Sequence, residues 1–130
     1  MNKSNNCGGW KRLGNSFGCA ARGIAELLIS QPNARIHLVL MGSAIIAGFG
    51  FQISAGEWIA LALASGLVLA AESMNTAIEI LSDEALGTTY HPAVRRLKDI
   101  AAGGVLLAAL AALATGLIIF LPYIAKGLYL

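Results

Sequence analysis

From Ile100 to Phe120 the chain runs without a single charged side chain. A helix rises about 1.5 Å per residue, so a run of this length crosses the roughly 30 Å hydrocarbon layer of a bilayer. A chain of 130 residues leaves room for only one domain, and such a helix, apolar on every side, finds its solvent in lipid. Two further runs repeat the signal. Ile36 to Ile53 is apolar apart from His37, Ser43 and Gln52, and Trp58 to Ala71 carries no charge before Glu72 appears. Charged residues make up 12% of the chain, against about 25% in an ordinary soluble domain. The pattern predicts an all-α integral membrane protein, a single domain over residues 1–130, with spans at about 36–53, 58–81 and 100–120.

Ahead of the spans, Phe17 to Ile29 reads as a helix. Arg22 and Glu26 stand four residues apart, and Ile24, Leu27 and Leu28 supply an apolar face. With Lys11 and Arg12 before it, a surface helix over about 17–30 is expected, ended by Gln31-Pro32-Asn33. The segment MNKSNNCGGWKR has no apolar stretch after its charges, so no cleaved signal is expected. Cys7 and Cys19 lack a metal-type spacing and read as free thiols.

The basic residues decide orientation. Lys3, Lys11, Arg12, Arg22, Arg35, Arg95, Arg96 and Lys98 fall on one side of the three-span scheme, and Lys126 on the other. Positive charge is retained in the cytoplasm, which places the N-terminus and the second loop inside and the C-terminus outside. A net charge of +2 in short clusters offers no stripe for nucleic acid, so no nucleic-acid partner is expected. Ala62, Gly66 and Ala70 recur at every fourth position of the second span, as do Ala108, Ala112 and Gly116 in the third. Small residues at that spacing allow close helix approach, and a homo-oligomer is expected.

Glu72 interrupts an apolar helix that continues to Leu81. Glu72, Asn75, Glu79 and Asp83 follow at intervals of three, four and four residues, within roughly 60° of one another around the helix. With Trp58 at the outer boundary, Glu72 lies roughly 9 Å below the cytoplasmic boundary and Glu79 close to it. An ionisable group at that depth costs at least about 2.5 kcal/mol, and function is the default explanation. The competing explanation is a packing carboxylate paired across the bundle with Lys98 or Arg96.

Phosphoryl transfer to a lipid hydroxyl suits this geometry, because the lipid's reacting group stays just below the headgroups while ATP stays in water. Glu72 would accept the hydroxyl proton. Glu79, at the wet end, would hold Mg²⁺ on the phosphates, and Lys98 would neutralise developing phosphate charge. No G-x-x-x-x-G-K-[ST] sequence is present, and Gly48-Phe49-Gly50 lacks the third glycine of a nucleotide loop, so any ATP site must be built from helix ends. His37 and His91 show no zinc-ligand spacing with each other or with cysteine. Three spans without a broken inner helix give little of a transporter's architecture.

The run Glu72-Ser73-Met74-Asn75-Thr76-Ala77-Ile78-Glu79, then Asp83, Tyr90-His91-Pro92 and Lys98-Asp99, resembles the prokaryotic diacylglycerol kinase family, which includes the undecaprenol kinases. Arg35-Ile36-His37-Leu38, Glu57-Trp58, Ala101-Ala102-Gly103 and the segment from Gly116 to Pro122 extend the resemblance over roughly residues 10 to 124. The resemblance implies a homotrimer of three-span subunits in the bacterial cytoplasmic membrane, with an amphipathic surface helix and active sites shared between neighbours. It implies Glu72 as catalytic base, Asn75 as an orienting residue and Glu79 as a metal ligand. It further implies that Thr89, Tyr90, His91, Lys98, Asp99 and Arg12 hold the nucleotide.

One departure stands out. The family commonly has a second metal-binding Glu where this chain has Gln31. A neutral oxygen binds Mg²⁺ more weakly than a carboxylate. Reduced activity, or a lipid-binding protein of the same fold without turnover, is the alternative expectation. The His91-Pro92 and Gly116–Pro122 segments resemble the undecaprenol kinase branch, which favours undecaprenol over diacylglycerol as the lipid alcohol.

Overall fold

A computed structural model shows an all-helical chain and describes residues 9–86 and 91–128. Four helices follow in order: α1 (Gly9–Ser30), α2 (Pro32–Phe51), α3 (Ala55–Leu86) and α4 (Pro92–Leu128). The last three are long and apolar enough to cross a membrane. α3 packs mainly on α4, while α1 and α2 make fewer contacts with the rest. Large apolar side chains point outward along every span, as with Leu63 at 70% and Ile118 at 76% exposure. Water would penalise that surface heavily; hydrocarbon or a neighbouring helix accepts it.

Several boundaries differ from the sequence expectation, with α3 running on to Leu86 and α4 beginning at Pro92. α1 begins at Gly9 rather than near Phe17, because Gly14, Asn15 and Gly18 spoil the apolar periodicity without stopping the helix. Each such glycine costs only about 1 kcal/mol in a helix, and the Ser16 hydroxyl donates to the Arg12 carbonyl at 3.0 Å. The break between α1 and α2 shrinks to Gln31 alone. Gln31 is extended (φ −108°, ψ 110°) with Pro32 at the first turn of α2, the conformation that a following proline imposes. α4, finally, runs through Pro122 to Leu128 instead of ending before the proline. Loss of one backbone donor is tolerated in an apolar span when neighbouring groups hold the turn.

That hold is visible where α2 meets α3. Gln52 adopts the left-handed conformation (φ 54°) and ends α2, its N–H donating to the Phe49 carbonyl at 3.3 Å and that of Ile53 to the Gly48 carbonyl at 3.1 Å. Ser54 then caps α3 in a reciprocal box. Its N–H donates to Glu57 Oε2 at 2.7 Å and the Glu57 N–H donates to Ser54 Oγ at 3.4 Å. The Tyr123 hydroxyl donates to the same Glu57 Oε2 at 2.9 Å, fastening α4 beyond its proline. Ile53, Leu61 and Ile119 form a buried cluster here, packed by Trp58, Phe120 and Tyr123. Phe51 stacks on Tyr123 at 5.7 Å.

Candidate functional site

The opposite end of the bundle is polar. Glu72 lies on α3 about 25 Å along the axis from Ala55, and its side chain is buried to 2% exposure. His37, in the second turn of α2, brings Nε2 to 3.4 Å from Glu72 Oε1 and is itself 23% exposed. The two groups are near enough for an ion pair, but Oε1 has no aligned hydrogen bond. Among the described residues His37 is the only basic side chain within 4.0 Å of the Glu72 carboxylate. Lys98 and Arg96, the expected packing partners, do not reach it. Lys98 Nζ instead donates to Asp83 Oδ1, tying the end of α3 to the start of α4.

Toward that end of α3, Asn75 and Glu79 come together, with Asn75 Nδ2 donating to Glu79 Oε1 at 3.0 Å. One turn of helix separates them, so the amide fixes the carboxylate's rotamer. Asn75 Oδ1 and Thr76 Oγ1 are buried without hydrogen-bond partners. Buried polar atoms are almost always paired, so the unpaired atoms of Glu72, Asn75 and Thr76, within about 100° of one another around α3, mark a face prepared for a polar group from outside the chain.

Two cavities flank this face. An apolar groove of about 660 Å³ lies among α2, α3 and α4, lined by His37, Ala44, Leu61, Val68, Ala112 and Phe120 among others. It has the volume and apolar character of a site for an organic ligand. A smaller one, about 360 Å³, lies between α1 and α3 beside Glu26, Leu27, Ser73 and Thr76.

The remaining candidates are scattered. Gln31 is half-buried at the start of α2, and its side chain makes no capping hydrogen bond there. Arg12 is exposed on α1. Asp99 lies 3.9 Å from Arg95 on the surface of α4. His91 is exposed, and its Nδ1 accepts the Ala93 N–H at 3.2 Å, so the ring caps α4 ahead of Pro92. Thr89 and Tyr90 lie outside the described residues. No group of three His, Cys, Asp or Glu side chains gathers at metal distance among the described residues. Glu79, braced by Asn75, belongs to no such group. That suits a hard cation such as Mg²⁺, which takes one or two carboxylates and keeps waters and phosphate oxygens for the rest.

Residues 18–120 match the family described as prokaryotic diacylglycerol kinase. The chain belongs to that family. It is 39% identical over 107 residues to a diacylglycerol kinase of Synechocystis sp., a match covering 82% of this chain and 61% of the relative. It is 36% identical over 111 residues to an undecaprenol kinase of Bacillus subtilis, covering 85% of this chain and 89% of the relative. The chain thus spans less than two thirds of the Synechocystis protein and nearly all of the Bacillus one.

Sequence reasoning missed two groups. His37 was legible as a polar residue inside an apolar run and as part of Arg35-Ile36-His37-Leu38, yet its only reading was as an unsuitable zinc ligand. The buried hydroxyl of Thr76 carried no signal beyond its place inside the polar motif.

Proposed function

We propose that this protein is a membrane lipid kinase that transfers the γ-phosphoryl group of MgATP to a lipid alcohol, with undecaprenol favoured over diacylglycerol. The observation that carries this is Glu72: a carboxylate 2% exposed inside an apolar span, with an oxygen free of hydrogen bonds, 3.4 Å from His37, which lines an apolar groove. Family membership supports the reaction class, and the relative matched over most of its own length is named for undecaprenol.

In this reading the lipid's hydrocarbon lies along the groove and its hydroxyl meets Glu72, which takes the proton as oxygen attacks phosphorus. Asn75 orients the Glu79 carboxylate. Glu79, with the neutral oxygen of Gln31, holds Mg²⁺, which would neutralise charge on the transferring phosphates. Lys98, released from Asp83, faces the phosphates, and Arg12, Thr89, Tyr90, His91 and Asp99 complete the nucleotide site. The chain works as a homotrimer with sites shared between subunits, its α1 an amphipathic helix on the cytoplasmic face of the bacterial inner membrane and its C-terminus outside. Unpaired polar atoms on α3 and outward apolar side chains support assembly.

The test is transfer of labelled γ-phosphate from MgATP to undecaprenol and to diacylglycerol in mixed micelles, on wild type and Glu72→Gln. Label entering undecaprenol faster and vanishing in the variant is expected. Absence of label in both lipids over a wide Mg²⁺ range, from an intact oligomer, would mean that the chain with Gln31 keeps the fold without the chemistry.

A further inference from the structure

Phosphoryl transfer from ATP to an alcohol releases one proton for every lipid phosphorylated. The lipid oxygen–phosphorus bond forms, the bond from γ-phosphorus to the bridging oxygen breaks, ADP leaves, and the hydroxyl proton stays on Glu72. Glu72 is buried to 2% exposure, so it cannot give that proton directly to water. A base that is not emptied supports a single turnover.

We infer that His37 is the proton exit of this site, taking the proton from Glu72 at Nε2 and releasing one from Nδ1 to water. The inference rests on the kinase reading above. Nε2 lies 3.4 Å from Glu72 Oε1, a distance that closes to a hydrogen bond with a small side-chain movement, as such contacts do when substrate binds. Imidazole has two ring nitrogens and can accept at one while donating from the other, which no other side chain near Glu72 offers. His37 also bridges the two environments that the relay must join. It lines the apolar groove and touches the buried carboxylate, and it stands in the second turn of α2, at the polar end of the bundle, with 23% of its side chain uncovered by the chain. Exchange with water then restores the starting tautomer.

A histidine that only positions Glu72 would act through its N–H, and glutamine keeps a donor on a side chain of similar reach. The experiment therefore compares wild type, His37→Gln, His37→Ala and Glu72→Gln in the lipid kinase assay, with oligomeric state checked for each. Relay predicts that kcat of His37→Gln falls about 100-fold or more while KM for MgATP and lipid stays within about twofold. It also predicts that imidazole, added at constant pH and ionic strength, restores turnover to His37→Ala in proportion to its concentration and leaves Glu72→Gln inactive. Near wild-type kcat in His37→Gln, absence of imidazole rescue in His37→Ala, or loss of the oligomer in both His37 variants would overturn the relay. Those results with an active wild type and a dead Glu72→Gln would leave the kinase reading standing. An inactive wild type would remove both.

Discussion

Gly48 is the position where a single methyl group tests how the two central elements are joined. A Cβ there would sit 2.8 Å from Trp58 Cη2, and 3.0 Å from both Trp58 Cζ2 and Ile53 Cδ1. The indole has little room to retreat, since Phe49 packs against it with ring centroids 4.9 Å apart. The backbones are equally constrained, because only three residues separate Phe51 from Ala55 and those residues carry the cap of α2 and the capping box of α3. Overpacking of this kind costs about 1–3 kcal/mol, and with two contacts at or below 3.0 Å on a rigid ring the middle of that range applies. Gly48→Ala should lower stability by about 2 kcal/mol, a factor of roughly 30 in the folding equilibrium. The assay is reversible unfolding in mixed micelles titrated with denaturing detergent and followed by helical circular dichroism. Trp58→Phe withdraws both offending ring atoms, so in that background at least about 1 kcal/mol of the Gly48→Ala cost should disappear. A neutral Gly48→Ala, or a cost unchanged by Trp58→Phe, would refute the steric argument.

Restoring a carboxylate with Gln31→Glu should lower the Mg²⁺ concentration for half-maximal kinase activity several-fold, read from Mg²⁺ titrations at fixed ATP; an unchanged midpoint would remove Gln31 from the metal site. Tyr123→Phe should lower stability by deleting the hydrogen bond to Glu57, measured by the same unfolding titration. It should leave kcat unaltered, since the contact lies at the end of the bundle away from Glu72. Ala112→Phe, on the groove wall, should raise KM for the lipid several-fold with KM for MgATP constant; equal effects on both would place the lipid elsewhere.

The spans were legible because their evidence is one-dimensional: an uncharged run from Ile100 to Phe120 means the same thing wherever the other helices stand. Glu72 was legible as an ionisable residue inside an apolar helix, and its side chain is buried within the chain. Its neighbour was not legible. Whether Glu72 meets His37, Lys98 or Arg96 depends on the rotation of α2 and α4 about their own axes, and no spacing within α3 encodes that. Lys98 turned toward Asp83 for the same reason, whereas Asp99 beside Arg95, four residues apart on α4, needs only helical spacing. Boundaries failed where local rules compete. Gly14 and Asn15 look like a loop but sit inside α1, and Pro122 looks like a stop but sits inside α4, with Tyr123 beyond it bonded to Glu57. Ser54 and Glu57 do have a readable pattern, Ser-x-x-Glu ahead of an apolar run, which marks the start of α3.

The groove among α2, α3 and α4 is open along one side, and its walls belong to segments apolar enough to lie in the bilayer. A lipid that reaches Glu72 along it never leaves the membrane. It slides in sideways, its tail exchanging one hydrocarbon surrounding for another, so desolvation of the tail contributes almost nothing to binding. Discrimination then falls on the few atoms around the hydroxyl, and the concentration the protein responds to is the mole fraction of that lipid in its own leaflet. Diluting the membrane with inert lipid should slow it, while diluting the suspension at constant MgATP should leave turnover per protein unchanged.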